Sequence, residues 1–272
     1  LKKLNPLLCF GADRYLYGSP ESLYFRRINC EGYFFGFNGG GDMTRISSKG
    51  KCSYCGGSYS KSTILRHLQA CPARKTENEA PSKKGSGKVV AKTIFHLQVE
   101  GLYLPMYWLH IEIPAKAKLD DLDSFLRDLW LECCGHLSSF EIQGQSFFSE
   151  KFEPGDRSMR FALEKVIAPG MKFEHIYDFG TSTELLIKVI SAREGQAQGK
   201  GAVIMARNDP PDIRCVSCGK PATAICCVCS DEGTGYVCDD CAKKHECGED
   251  MLLPLVNSPR TGMCGYTGEC YD

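Results

Sequence analysis

The sequence has no apolar run near the roughly eighteen residues that a membrane-crossing helix needs, and it predicts no such helix. Its first residues offer a short apolar patch, Leu7, Leu8 and Phe10, which polar and charged neighbours interrupt too early for a secretory signal. Three catalytic patterns are also missing: a Ser/His/Asp order, a phosphate-cradling glycine loop, and paired carboxylates with a partner base. These absences point away from membrane proteins, secreted proteins and the common enzyme classes.

Cysteine, in contrast, is abundant: the chain has 17 cysteines among 272 residues. In a secreted chain this number would predict disulfides. Eight of these thiols, however, come as four Cys-x-x-Cys pairs, and no secretory pattern precedes them. That combination favours zinc in a reducing compartment, and we expect a cytoplasmic protein.

The chain carries no net charge, since 33 Lys and Arg match 33 Asp and Glu, but the charges are unevenly placed. Between Met43 and Lys92, eleven basic residues stand against two acidic ones, whereas residues 208–272 have five against eleven. A polyanion would therefore be expected to bind the basic segment between Met43 and Lys92. The basic residues on or beside the first cysteine cluster are candidates for nucleic-acid binding: Lys49, Lys51, Lys61, Arg66 and Arg74. The alternative is that these charges belong to a solvated linker.

Composition shifts divide the chain into six segments. They are an irregular extension (1–42), a cysteine-containing finger (43–75), a flexible linker (76–92), a central domain (93–207), a second cysteine-rich module (208–256) and a glycine-rich tail (257–272). The glycines before Met43 suggest that Met43 is the true start and that residues 1–42 are translated leader. A genuine but irregular N-terminal extension is the alternative.

The central segment alternates in the manner of strands over Ile94–Val99 and Met106–Ile113. In the second strand, Leu109, Ile111 and Ile113 are expected on one face, with Tyr107, and the residues Trp108, His110 and Glu112 on the other. Leu119–Cys133 has the apolar spacing of a helix, and a short hairpin is expected around Gln143-Gly144. Further strands are predicted at Met159–Val166 (running into a short helix), Met171–Tyr177 and Thr183–Ile190. Strand, strand, helix and then several strands is the order of an α+β fold.

This segment resembles the plasmid pRiA4b ORF-3-like family, whose members are also known as passenger proteins of an insertion element. The resemblance rests on the strands Phe95–Glu100 and Trp108–Pro114, the helix Leu119–Leu126, the strand His136–Ile142 and the turn 177–180. That turn is the most specific part and reads Tyr177, Asp178, Phe179, Gly180. The following residues, 181–186, depart from the family's polar pattern. The resemblance implies a compact β-grasp-like domain of no established activity, linked to a mobile element.

The strongest metal pattern lies in residues 208–256. It consists of three Cys-x-x-Cys pairs and a His-x-Cys pair: Cys215, Cys218, Cys226, Cys229, Cys238, Cys241, His245 and Cys247. Zinc takes four thiolate or imidazole ligands in a tetrahedron, so eight ligands predict two ions. The order resembles cross-braced modules of the MYND and B-box kind, in which alternate pairs share a metal. Sequential pairing, and Cys227 in place of Cys226, remain open.

The finger has one further ligand set, Cys52, Cys55, His67 and Cys71, which resembles a CCHC variant of the single zinc finger. His67 and Cys71 are four residues apart and so share one helical face. The chain is thus predicted to hold about three structural zinc ions. Cys133 and Cys134, with His136, could form a redox or metal pair, but we interpret them as buried thiols at a helix end, and Cys264 and Cys270 as free thiols.

Every predicted ligand set is complete with four protein groups, which is typical of structural rather than catalytic zinc. The sequence therefore predicts a non-catalytic adaptor or regulator that binds protein or nucleic acid, with no small-molecule substrate. The alternative is an enzyme that uses a cleft around Asp178. That alternative requires a concave pocket in which Asp178 meets another titrating group, such as His136 or His175.

Overall fold

The computed structural model describes residues 48–79, 92–151, 153–195, 201–230 and 234–268. The expectations about residues 1–42, Met43, most of the linker and Cys270 concern residues outside these ranges. Among the described helices, none is long and apolar enough to cross a membrane. The fold is a strand-rich mixture of α and β structure with one large sheet and few helices.

The large sheet has ten strands in the order β2-β1-β10-β4-β3-β9-β8-β5-β6-β7. Neighbours pair antiparallel, apart from the parallel pair β6 and β7. The strands are β1 Lys49–Cys52, β2 Ser58–Ser60, β3 Lys92–Gly101, β4 Trp108–Pro114, β5 Ser138–Ile142, β6 Gln145–Phe148, β7 Arg157–Ser158, β8 Lys172–Tyr177, β9 Thr183–Gly195 and β10 Val203–Asn208. The helices beside the sheet are α1 Lys61–Ala70, α2 Pro72–Glu79 and α3 Leu119–Leu126, which continues as a π-helical turn over Arg127–Leu131, and there is a 3-10 turn at Leu163–Lys165.

The main core lies on one face of this sheet. Leu109, Ile111 and Ile113 of β4 point to that face, as the alternation predicts, because successive strand residues face opposite sides. They pack with Leu122 and Leu126 of α3, and all five side chains are wholly buried. The central strands and this helix therefore form one hydrophobic core.

The opposite face of β4 carries the finger. Trp108 packs there in a second core with Ile64 and Leu68 of α1, and its Nε1 donates to Ser48 Oγ at 2.7 Å. β1 pairs with β10 beside it, and a Cβ on Gly50 would lie 2.7 Å from the Trp108 ring. The finger is thus an extension of the central sheet, and Gly50 is required where the indole meets β1.

Buried charges join the finger to the same face. Glu112 of β4 accepts from Arg74 Nη2 at 2.7 Å and from Arg193 Nε at 2.9 Å. Lys61 of α1 lies 2.6 Å from the Glu100 carboxylate, which also binds Lys188. Burial alone would raise the pKa of each carboxyl, but hydrogen bonds from its two basic partners outweigh burial and lower it.

A smaller antiparallel sheet, β12-β11-β13, forms the C-terminal module. Its elements are β11 Ala224–Cys226, β12 Tyr236–Val237, the short helix α4 Asp239–Ala242, a 3-10 turn Glu249–Met251 and β13 Leu252–Pro254. The chain enters this module after Asn208 and leaves it at Asn257. These two residues exchange hydrogen bonds of 2.7 and 2.9 Å, so the entry and exit lie side by side.

Most of the strands predicted for the central segment are present. Met159–Val166 is not a strand, since it holds turns and the 3-10 helix. The strand β10 was not predicted, because Val203–Asn208 alternates poorly and follows a glycine-rich stretch. The linker is shorter than 76–92, because α2 extends through residue 79 and β3 begins at Lys92.

Candidate metal centres

The finger gathers Cys52, Cys55, His67 and Cys71, whose ligand atoms all lie within 4.8 Å of one another. Cys52 Sγ is 4.0 Å from Cys71 Sγ, and Cys55 Sγ is 3.3 Å from His67 Nε2. The knuckle closes where Gly56 N donates to Cys52 O, and Gly56 has a φ of 71° that favours glycine. The His67 ring stacks on Tyr59 at 3.8 Å, which fixes its orientation.

The two thiols of the knuckle, Cys52 and Cys55, have pKa values that are shifted in opposite directions. Burial raises the pKa of Cys52 to about 11, whereas the backbone N–H of Gly57 lowers the pKa of the exposed Cys55 thiol. A metal ion would supply the positive charge that a buried thiolate at Cys52 needs.

The C-terminal module gathers two further sets. One contains Cys215, Cys218, Cys238 and Cys241, and the other contains Cys226, Cys229, His245 and Cys247. Alternate pairs therefore meet, as in a cross-brace, and consecutive pairs do not. Cys226 is buried within its set, whereas the exposed Cys227 turns its sulfur toward Met251 Sδ at 3.9 Å. Backbone N–H groups overcome the effect of burial and lower the pKa of Cys215 to about 6 and of Cys226 to about 7.

The spacing of the sulfurs fits zinc. A tetrahedron with Zn–S bonds of about 2.3 Å has edges of about 3.8 Å. Cys218 and Cys238 lie 3.5 Å apart, as do Cys229 and Cys247, and the finger pair lies at 4.0 Å. These donors could hold zinc ions, and a protein with such clusters fits a zinc-binding role.

The structure also forms a cluster from Cys133, Cys134, His136 and Cys264, in which the first three were considered as a metal pair but Cys264 was not expected. Cys264 belongs to the tail, and its sulfur is 3.2 Å from His136 Nε2 and 3.7 Å from Cys134 Sγ. Burial and the neighbouring thiols raise the pKa of Cys134 to about 12. Cys264 is a free thiol, as expected, but Cys134 is exposed and not a buried thiol, and four clusters could hold an ion where about three ions were expected. Cys264 is 128 residues from His136 in the sequence, so the spacing of residues along the chain gave no sign of this set.

Asp178 occupies the turn after β8 with a left-handed φ of 65°. Its Oδ1 accepts from the backbone N–H groups of Gly180 and Thr181, and its Oδ2 accepts from Arg260 Nη2 at 2.8 Å. Burial alone would raise the pKa of Asp178, but these hydrogen bonds lower it. Asp178 is thus a buried ion-pair partner.

The enzyme alternative requires a concave pocket in which Asp178 meets His136 or His175. His136 does approach Asp178, at 3.5 Å, but His175 binds Asp123 instead, at 2.7 Å. A cavity of about 280 Å³ lies beside His136, lined mainly by acidic and polar residues of α3 and the β5 region, and Asp178 is not among its lining residues. Phe179, the next residue of the turn, is 45% exposed.

The basic candidates fall into two groups. Lys49, Lys51 and Arg66 are exposed, and the two lysines project from the same face of β1. Lys61 and Arg74 instead form the ion pairs with Glu100 and Glu112 that join the finger to the sheet. Their charges are therefore engaged within the protein.

Comparisons with known proteins do not assign this chain to a family. No protein-family model matches the chain, and no curated protein matches it. Among solved structures, the chain is similar to a protein of unknown function, MM3350, from Methanosarcina mazei Go1. The two are 16% identical, the match covers 43% of this chain and 70% of that one, and the TM-score is 0.38.

Proposed function

We propose that this protein is a non-catalytic adaptor or regulator, built on structural zinc, that binds nucleic acid through its finger. The observation that carries the proposal is that each cluster brings together four protein ligands. Catalytic zinc keeps a coordination position for water or substrate, whereas a set of four protein ligands closes the site. The metal would then organise a binding surface.

The surface that we assign to nucleic acid is the exposed side of β1 with Arg66 of α1. Lys49 and Lys51 alternate outward there, while Gly50 and Cys52 face the protein. Because the backbone of the strand is already ordered, contact with phosphates would require only the side chains to be ordered. Base-specific recognition is not proposed, because three such side chains offer little to a groove.

The full chain should bind short duplex DNA with an affinity that falls as salt rises. Three phosphate contacts give a log–log slope of about −2.7. The triple variant Lys49→Glu, Lys51→Glu, Arg66→Glu should lose at least about tenfold in affinity, or about 1.4 kcal/mol, and most of the slope. Fluorescence anisotropy with labelled duplex, single-stranded DNA and RNA measures both quantities. The full chain is used because the finger shares its core with the central sheet.

A charge-matched control separates a local site from a general effect of net charge. Lys116, Lys151 and Lys165 are exposed residues of the central domain, and changing all three to Glu alters the net charge equally. This control should bind as the unmodified protein does. Equal loss in both triple variants, or no binding at low salt, would contradict the proposal.

A protein partner is the second candidate, and one observation favours it. Val216 and Val228 lie within Cys-x-x-Cys knuckles of the acidic C-terminal module and are 47% and 57% exposed. Apolar side chains held outward on zinc knuckles suit a protein contact better than a phosphate backbone. Failure of nucleic-acid binding would favour this candidate.

The finer assignments belong to the same proposal. Membership of the pRiA4b ORF-3-like family, an association with a mobile element and a cytoplasmic location follow from the sequence patterns described above. A β-grasp-like central domain is supported by the β3–β4 hairpin followed directly by α3 and further antiparallel strands.

A further inference from the structure

The cluster of Cys133, Cys134, His136 and Cys264 joins two distant parts of the chain. Three of its donors follow the π-helical turn Arg127–Leu131, and the fourth comes from the tail, 130 residues beyond Cys134. We propose that these four residues bind a fourth zinc ion, which clamps the tail onto the central domain.

The distances favour a metal over a disulfide. Cys134 Sγ and Cys264 Sγ are 3.7 Å apart, close to the tetrahedral edge of about 3.8 Å and far from a disulfide bond of about 2.05 Å. Cys264 Sγ also lies 3.2 Å from His136 Nε2. A disulfide would use two of the four donors and leave Cys133 and His136 without a role in the cluster.

Backbone geometry aims the donors at one point. Gly135, between Cys134 and His136, has a φ of 72°, which turns the chain so that both flanking side chains reach the cluster. Cys264 itself has a φ of 47° and stands between Gly262 and Gly265, which also have positive φ. Such a turn resembles the knuckles at the other clusters, where Gly56 and Gly219 have positive φ.

Tyr177 and Asp178 of the turn support the cluster through hydrogen bonds. Tyr177 Oη accepts from the backbone N–H groups of Cys133 and His136 at 3.4 and 3.3 Å. Asp178 holds Arg260, whose Nη2 donates to Cys133 Sγ at 3.3 Å. Hydrogen-bond partners of this kind orient metal ligands.

The tail is already packed where the ion would bind. Arg260 is wholly buried against the Tyr177 ring, and Ser258 Oγ donates to Trp130 O at 2.6 Å. The ion would lock this packing, because breaking one metal site requires several donors to leave together. Closing so long a loop by a metal also removes conformational freedom from the unfolded chain.

Exposure distinguishes this site from the other three. Each of those sets contains at least one buried cysteine, whereas here Cys134 and Cys264 are exposed and Cys133 and His136 are half-buried. A chelator reaches such a site more easily. The fourth ion should therefore leave first, which would release the tail while the other sites stay loaded.

Zinc content of the full chain, purified under reducing conditions, tests the proposal. The unmodified protein should contain about four ions, and Cys264→Ser and Cys134→Ser should each contain about three. Cys227→Ser is the matched control, since Cys227 is an exposed thiol outside all four sets, and it should keep four. In a timed chelator reaction, one ion should leave in a fast phase that both cluster variants lack.

Tail release is the second measurement. Trypsin should cut after Arg260 at least tenfold faster in Cys264→Ser than in the control, because Arg260 is buried while the tail is docked. The proposal is overturned if the unmodified protein holds three ions, if Cys264→Ser keeps four, or if thiol counting finds a Cys134–Cys264 disulfide. The unmodified protein's ion count decides the matter even where a variant unfolds. None of these results depends on nucleic-acid binding.

Discussion

Cys241→Ser should unfold the C-terminal module and leave the central sheet folded. Cys241 supplies one of four ligands to a set in which each pair of cysteines comes from a different part of the module. A structural zinc site contributes about 10 kcal/mol or more to folding, which exceeds the stability of so small a core. Because the two sets are interleaved, both ions should be lost, and the zinc content should fall by about two. Metal analysis and circular dichroism on the purified variant measure this.

The control for this experiment is again Cys227→Ser, which removes a thiol from the same module without touching either set. The central sheet should retain its cooperative melt in both variants, because its core shares no residue with the core of the module. A loss of that melt in Cys241→Ser would mean that the two cores fold as one unit. An unchanged zinc content would contradict the assignment of Cys241.

Trp108→Ala should lower the free energy of unfolding by about 3–5 kcal/mol, the usual cost of truncating a large buried aromatic side chain. The indole is wholly buried between β4 and the finger, and its Nε1 hydrogen bond to Ser48 would be lost as well. Since the finger core consists largely of this contact with α1, the finger should also lose protection from hydrogen exchange. Denaturant unfolding followed by circular dichroism gives the free energy.

Tyr103→Ala is the matched control, because Tyr103 is an aromatic residue of the same hairpin but is 73% exposed. Tyr103 hydrogen-bonds Glu184, and the loss of this exposed contact should cost no more than about 1 kcal/mol, well below the effect of Trp108→Ala. If Trp108→Ala cost no more than this control, the finger would be an independent module attached loosely to the sheet. The exchange data would then remain unchanged in α1.

The parts of the fold that could be predicted are those with local causes. Alternation along β4 assigned Leu109 and Ile111 to one face and Trp108 to the other, as found. A Cys-x-x-Cys knuckle is also a local pattern, so the sequence alone identified the paired cysteines of the finger and of the C-terminal module as candidate metal ligands. In the hairpin, Gln143 and Gly144 both have positive φ, which is the geometry of a tight hairpin turn.

The parts that could not be predicted depend on distant partners. Spacing along the chain gives no reason to join Cys264 to Cys134, and an apolar strand face does not say that a zinc finger will cover it. Lys61 and Arg74 resembled a polyanion-binding surface because their acidic partners, Glu100 and Glu112, lie on strands far away in sequence. The sequence alone therefore overestimated how many basic side chains of this segment are available to a polyanion.

The neighbouring positions of Asn208 and Asn257 bear on how this chain could have been assembled. A segment whose two ends meet at the end of one strand, here β10, can be gained, lost or exchanged without altering the strands on either side. Here Asn208 also accepts from the backbone N–H of Trp108, so the junction is anchored to the sheet rather than to the segment that leaves it. The C-terminal module is therefore an insertion between Asn208 and Asn257 whose removal would leave both junction residues in place beside the central sheet.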